Sequence, residues 1–280
     1  MRFLIRALTA AMLGSAVLIP AMTHATSTRV NLPVISATLT GKSISVNGNL
    51  QSGAVNIRTN TTGEGFGEPL LIHLHAGVTV QQVFADMAKP AFQDPNTVSS
   101  LGAIVADAGV PHGTFTFQTV LLPGQYIALD AANNNAPPKT WPRTTFVITR
   151  AASPAALPAA QATIHIIDFR FRMPATLHAG EVVRVYNNGY LVHMADALGA
   201  RSLQDAEKIA SLLRAGKDKQ AQRVATHNFI SFAGPLSHNG MQQFRVPPMT
   251  GWYVMTCFMD TQDHREHARL GMLRIFRVVR

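Results

Sequence analysis

A single cysteine, Cys257, in 280 residues leaves no partner for an intrachain disulfide, so no disulfide framework holds this chain together. Charged residues are sparse at 14% while hydrophobic residues reach 47%, which excludes a disordered, solvating chain and fits a packed globular one. Past residue 22 there is no apolar run long enough to cross a bilayer. Basic residues are in excess, yet they form no dense tract and belong to no nucleic-acid-binding motif, which argues against nucleic acid as a partner.

At the start of the chain, Arg2 and Arg6 precede an apolar stretch from Ala7 to Met22 and then the small-residue sequence Thr23-His24-Ala25-Thr26. This order predicts a secretory signal peptide over residues 1–25 and a soluble periplasmic or secreted protein with no integral membrane span after its removal. The remaining length, about 255 residues, is enough for two ordinary domains. Residues 26–150 carry seven Lys and Arg against six Asp and Glu, whereas residues 151–280 carry fifteen against nine. The positive excess of the second half can steer an acidic protein partner or an anionic surface by long-range attraction, and it serves solubility equally well.

The uncharged segment Ala151 to Ala160, broken by Pro154 and Pro158, reads as a linker. Dividing the chain there exposes a repeat. Gly113, Phe117, Gly124 and Tyr126 recur as Gly240, Phe244, Gly251 and Tyr253, and Gly53, Val55 and Asn60 recur as Gly180, Val182 and Asn187, all at an offset of 127. One register at two separated places favours duplicated domains, 26–150 and 161–280. Both halves read mainly as strands: Thr163 to Met173 with one break in phase, Val182 to Tyr186, Leu191 to Met194, Asn228 to Phe232, Met241 to Val246, Trp252 to Phe258 and Leu270 to Val279. Ser202 to Arg214 places Leu203, Ala206, Ile209, Ala210 and Leu213 on one helical face, and the matching helix of the first half is Val80 to Lys89, ended by Pro90. Many short strands with Gly and Pro punctuation suggest a sandwich.

The chemistry concentrates in Cys257-Phe-Met-Asp-Thr-Gln-Asp-His264-Arg-Glu-His267-Ala-Arg-Leu-Gly-Met272. A lone thiol ahead of histidines and a methionine points to a metal-bound thiolate, with copper the leading candidate. The stretch from Phe169 through Pro174, Gly180, Val185 and Asn187 to His193 resembles the first half of a cupredoxin domain, and Gly251-Trp-Tyr-Val-Met-Thr-Cys257 with His267 to Met272 resembles its second half. The resemblance covers nearly all of residues 161–280. It implies an all-β chain of two Greek-key β-sandwich domains, each with a short helical insertion, and one type 1 copper site with ligands His193, Cys257 and His267 and a long axial Met272. A thiolate and two imidazoles with a weak thioether suit both copper oxidation states in nearly one geometry.

Two departures from the pattern stand out. Met194 follows the first histidine where small blue proteins often carry an asparagine, and nine residues separate Cys257 from His267. His264 therefore competes for the second imidazole position; the four-residue gap between His267 and Met272 favours His267. In the first half the offset maps Cys257 onto Asp130 and His193 onto Phe66, so residues 26–150 are expected to form a degenerate cupredoxin-like domain without copper ligands. His73 and His75 share one side of a strand and are read as surface or interdomain packing.

The expected role is that of an exported electron carrier and not an enzyme, since Thr256 and Phe258, not a histidine, flank Cys257. Its partners would be redox proteins, acidic ones by charge, meeting an exposed imidazole edge of His267. Copper delivery or storage is the alternative that Met255, Met259 and His264 keep open, and a pair of domains of the nitrite reductase type is a further one.

Overall fold

The computed structural model describes residues 31–89, 94–107, 110–132 and 136–280. The expected signal peptide and the helix stop at Pro90 lie outside them. The first half runs through β1 (Val34–Leu39), β2 (Ile44–Gly48), β3 (Gly53–Gly67), β4 (Pro69–Leu74), helix α1 (Val80–Met87), β5 (Gly102–Ala106), β6 (Val110–Leu121), β7 (Gly124–Asp130) and β8 (Arg143–Ile148). The second half runs through β9 (Ala162–Ile167), β10 (Arg170–Arg172), β11 (Thr176–His178), β12 (Val182–Asn187), β13 (His193–Ala200), helices α2 (Leu203–Arg214) and α3 (Asp218–Val224), β14 (Phe229–Leu236), β15 (Met241–Arg245), β16 (Gly251–Thr256) and β17 (Leu273–Val279).

The two halves repeat one topology. In the first, strands in the order β2-β1-β3-β6 face a sheet ordered β5-β4-β7-β8; in the second, β10-β9-β12-β15 faces β14-β13-β16-β17-β11. The offset of 127 carries β3 onto β12 and β7 onto β16. Gly124 and Gly251, which open β7 and β16, have φ of 148° and 149°, a backbone state that a side chain rarely tolerates, so the repeated glycine is a repeated turn. The equivalent strands β6 and β15 meet at the seam, where Gln118 pairs with Gln243 and joins the two inner sheets into one of eight strands.

Alternation drives this architecture. In β12 the buried positions are Val183, Val185 and Asn187, every second residue, as a strand with one face on a core requires. The buried apolar side chains of both halves, Ile35, Ile57 and Phe117 with Ile164, Val183 and Phe276, belong to one continuous cluster. Each such side chain contributes about 1.5–3 kcal/mol by leaving water. The alternating run from Thr163 to Met173 is two strands, not one: its break in phase is a two-residue turn, Asp168-Phe169, between β9 and β10.

Helix α2 begins where the pattern places it, with the Ser202 hydroxyl accepting the Asp205 N–H at 3.1 Å. Thr79 and Gln82 form a reciprocal capping box at the start of α1. Helix α3 and the short strand β11 have no counterpart in the sequence reading. Ala206, Ile209 and Leu213 of α2 pack with Val254 of β16 and with Ala268, so the helical insertion braces the segment after Cys257.

Candidate metal centre

His193 opens β13 and Cys257 follows the last residue of its neighbour β16, so two adjacent strands deliver the first two donors to one end of the second sandwich. The segment from Cys257 to Met272 brings the rest. Met259 accepts the His267 N–H through its carbonyl at 2.8 Å, and the Cys257 carbonyl accepts the Ala268 N–H at 3.2 Å. Residues between them form an excursion closed by a bridge from Asp260 to Glu266. The nine-residue spacing thus folds outward and returns His267 beside the thiol. His264 sits exposed on that excursion with φ of 62°.

His193, Cys257, His267 and Met272 all have 0% exposure. The Nδ1 atoms of His193 and His267 lie 3.0 Å apart, and Cys257 Sγ lies 3.3 Å from His267 Nδ1 and 3.8 Å from His193 Nδ1. Among the described residues this is the group of three or more such side chains whose ligand atoms converge, all within 4.8 Å. Met272 ends the same segment, its N–H donating to the His267 carbonyl at 3.0 Å. The Met194 side chain is buried, and its backbone N–H donates to Sγ at 3.4 Å.

The loop ahead of His193 is fixed by Asn187, a fully buried side chain. Its Nδ2 donates to the Leu191 and Leu236 carbonyls at 2.8 and 2.7 Å, and its Oδ1 accepts the Gly189 N–H at 2.9 Å. From the first half of the chain, Asn96 Oδ1 accepts the Val192 N–H at 2.7 Å. The Nε2 atom of His193 lies 2.9 Å from Asp168 Oδ1, and the Phe169 ring meets His267 edge-on at 5.3 Å. The sequence reading missed Asp168 and Phe169. The break in alternation marks their turn, but no spacing rule couples that turn to a histidine 25 residues later.

Burial keeps the metal-free cluster uncharged. Burial pushes the Cys257 thiol up to about 12, and burial together with the neighbouring His193 pushes His267 down to about 3. His193 is also lowered, by burial, against the opposing pull of Asp168. Both rings are therefore neutral at pH 7. An ionised carboxylate accepts only, so His193 carries its proton on Nε2 and turns a bare Nδ1 toward the thiol. Partial burial raises Asp168, but the hydrogen bonds from His193, Tyr190 and Leu191 outweigh it and leave the carboxyl below its ordinary range. Two imidazole nitrogens and a sulfur that converge out of reach of water offer a metal ion three soft to borderline donors, and a bound ion would displace the thiol proton. The residues fit the group.

Elsewhere, among the described residues, the histidines do not converge. His73 stacks on Tyr126 at 4.7 Å with Nε2 3.3 Å from the Pro123 carbonyl, and His75 Nε2 lies 3.0 Å from the Ser99 carbonyl. The exposed edge expected at His267 is absent: the ring is buried, and its Nε2 has no hydrogen-bond partner.

No family model matches the sequence, and no curated protein does either. Among solved structures, reduced auracyanin from Roseiflexus castenholzii is 16% identical over 44% of this chain and 100% of its own, with a TM-score of 0.27. A blue copper oxidase from Nitrosomonas europaea is 14% identical over 88% of this chain and 85% of its own, at 0.23. A copper-containing nitrite reductase from Thermus scotoductus is 14% identical over 88% of this chain and 61% of its own, at 0.24. The expectation that the protein is not an enzyme is corrected here, because the solved structures aligned along about nine-tenths of the chain include an oxidase and a nitrite reductase. With two β-sandwiches of one topology, a buried His193, Cys257 and His267 triangle, and Met272 closing the same segment, the chain meets the fold and the ligand set that its resemblance to cupredoxins implies for one type 1 copper site.

Proposed function

We propose that the protein transfers single electrons, outside the cytoplasm, through a type 1 copper ion held by His193, Cys257 and His267 with Met272 as the weak axial donor. The observation that carries this reading is the buried triangle of two imidazole Nδ1 atoms and one thiol. When bound, copper supplies one-electron cycling between Cu(I) and Cu(II). The protein's own residues exclude water from the donors and hold them from several directions: Met194 N–H on Sγ, Met259 on His267, Asp168 on His193. Donors fixed in this way change little between oxidation states, which is what fast electron transfer requires.

The positive excess of residues 151–280 suits acidic redox partners. Copper delivery would be served by exposed methionines, but Met255 and Met259 are buried, which favours electron transfer. The test is the absorption spectrum of the Cu(II)-loaded protein. An intense thiolate-to-copper band in the visible region, absent from Cys257→Ser, is expected together with a reversible one-electron wave. Weak d–d absorption alone in the wild type would sink the assignment.

A further inference from the structure

The contact between Asp168 and His193 is built from four directions. The two-residue turn that carries Asp168 holds Phe169 at φ of 61°, a left-handed state that a non-glycine residue rarely adopts. Tyr190 N–H donates to both carboxylate oxygens, at 3.0 and 3.1 Å, and Leu191 N–H donates to one at 3.3 Å. Gly189 leaves the space: a Cβ there would come within 2.4 Å of Asp168 Oδ1 and 2.9 Å of His193 Nε2. The neighbouring Phe169 lies against the other imidazole, so one turn touches both rings.

We propose that Asp168 is a positioning residue of the metal centre: its carboxylate holds the Nε2 proton of His193, fixes Nδ1 as the ligating atom, and lowers the reduction potential. The inference rests on the copper reading above. A carboxylate on the far nitrogen orients a ligand ring and raises its basicity. Its negative charge, only partly exposed to solvent with 29% of the side chain accessible, also favours the more highly charged Cu(II) over Cu(I).

The test uses the full chain carrying Asp168→Asn, Asp168→Ala or Gly189→Ala. Copper affinity is read by chelator competition and the potential by redox titration. Ring nitrogen chemical shifts of the metal-free protein report the His193 tautomer. Asp168→Ala is expected to lose about 10–100-fold in copper affinity, to raise the potential and to release the Nε2–H tautomer. Asp168→Asn, which keeps an acceptor without the charge, recovers affinity and tautomer but not the potential. Gly189→Ala, which deletes no polar group, shifts affinity and tautomer in the direction of Asp168→Ala. Wild-type affinity, potential and tautomer in Asp168→Ala overturn the proposal while leaving the copper reading intact. A wild-type protein without the charge-transfer band overturns both. Should Asp168→Ala fail to fold, a wild-type potential in Asp168→Asn overturns the charge effect by itself.

Discussion

Asn96, in the first half of the chain, holds the backbone that presents His193 in the second: its Oδ1 accepts the Val192 N–H at 2.7 Å, one residue ahead of the ligand. The half without copper ligands is thus part of the wall of the metal centre. Asn96→Ala leaves the buried Val192 N–H without this acceptor, which costs about 1–3 kcal/mol. For a chain of this size the melting temperature should fall by about 2–4 °C per kcal/mol. The charge-transfer band should also shift or broaden as the His193 loop loosens. An Asn96→Ala protein with wild-type melting and spectrum would show that the first half does not support the site.

The two candidate imidazoles should separate cleanly by mutation. His267 Nδ1 is 3.3 Å from Cys257 Sγ, whereas His264 sits on the exposed excursion. In Cu(II)-loaded protein, His267→Ala should abolish the visible band and His264→Ala should leave it in place. Loss of the band on His264→Ala alone would reverse the assignment.

Glu68, Asp107, Asp130 and Asp196 are buried carboxylates that repel one another. Burial, then Asp196 and Asp130, pushes Glu68 up to about 8, and burial pushes Asp196 up to about 7. Asp107, raised well above its ordinary value by burial and then by Glu68, has no hydrogen-bond partner for either oxygen. A carboxyl whose folded pKa is raised contributes stability that is complete below its unfolded pKa and is lost as pH rises through the folded value. The buried histidines act in the opposite sense: His193 and His267 are lowered, so their contribution is complete above about pH 6.5. Between about pH 7 and 8 the histidine contribution levels off while the raised carboxylates still titrate, and metal-free protein should lose stability there, by up to about 1.4 kcal/mol per pH unit for each group. Denaturant titrations at several pH values check this, and Asp107→Asn should stabilise the protein at pH 8 and flatten the slope. Stability that rises across this window would contradict the burial of charge described here.

Tyr126 and Tyr253, one offset of 127 apart, each donate a hydroxyl to a carbonyl four residues upstream: Leu122 at 2.8 Å and Met249 at 2.7 Å. Removing either hydroxyl as Phe should destabilise by about 1 kcal/mol; each has a second partner, the Leu122 N–H at 3.0 Å for Tyr126 and the Asn228 side chain for Tyr253. Chemical denaturation of the two variants measures it. If Tyr253→Phe is neutral while Tyr126→Phe is costly, the two corners are not energetically equivalent.

Local patterns carried much of this structure. Ser202 caps α2 and Ala206, Ile209 and Leu213 share its buried face because helix periodicity is written in neighbouring residues, whereas Leu203, expected on that face, is 42% exposed at the first turn. The glycine turns at 124 and 251 follow from a conformation few other residues adopt. Boundaries shifted where hydrogen bonds, not hydropathy, end an element: β17 begins at Leu273, three residues after the apolar pattern resumes, because Leu270 and Met272 donate backward to the His267 carbonyl. Helix α3 was not legible, since Asp218–Val224 buries only Ala221 and presents no apolar face to read.

By itself, the sequence determined the candidate donors and their order, because a thiol, two imidazoles and a thioether are fixed by residue identity, and it determined most strands, because alternation is a local property. The folded chain decided what lies between distant residues. Asp168 reaches His193, Asn96 reaches Val192, and Gln118 meets Gln243 across the seam. Such partnerships depend on which strands lie side by side in a sheet, and pairing between segments tens of residues apart is set by the packing of the whole core, not by any pattern within either segment.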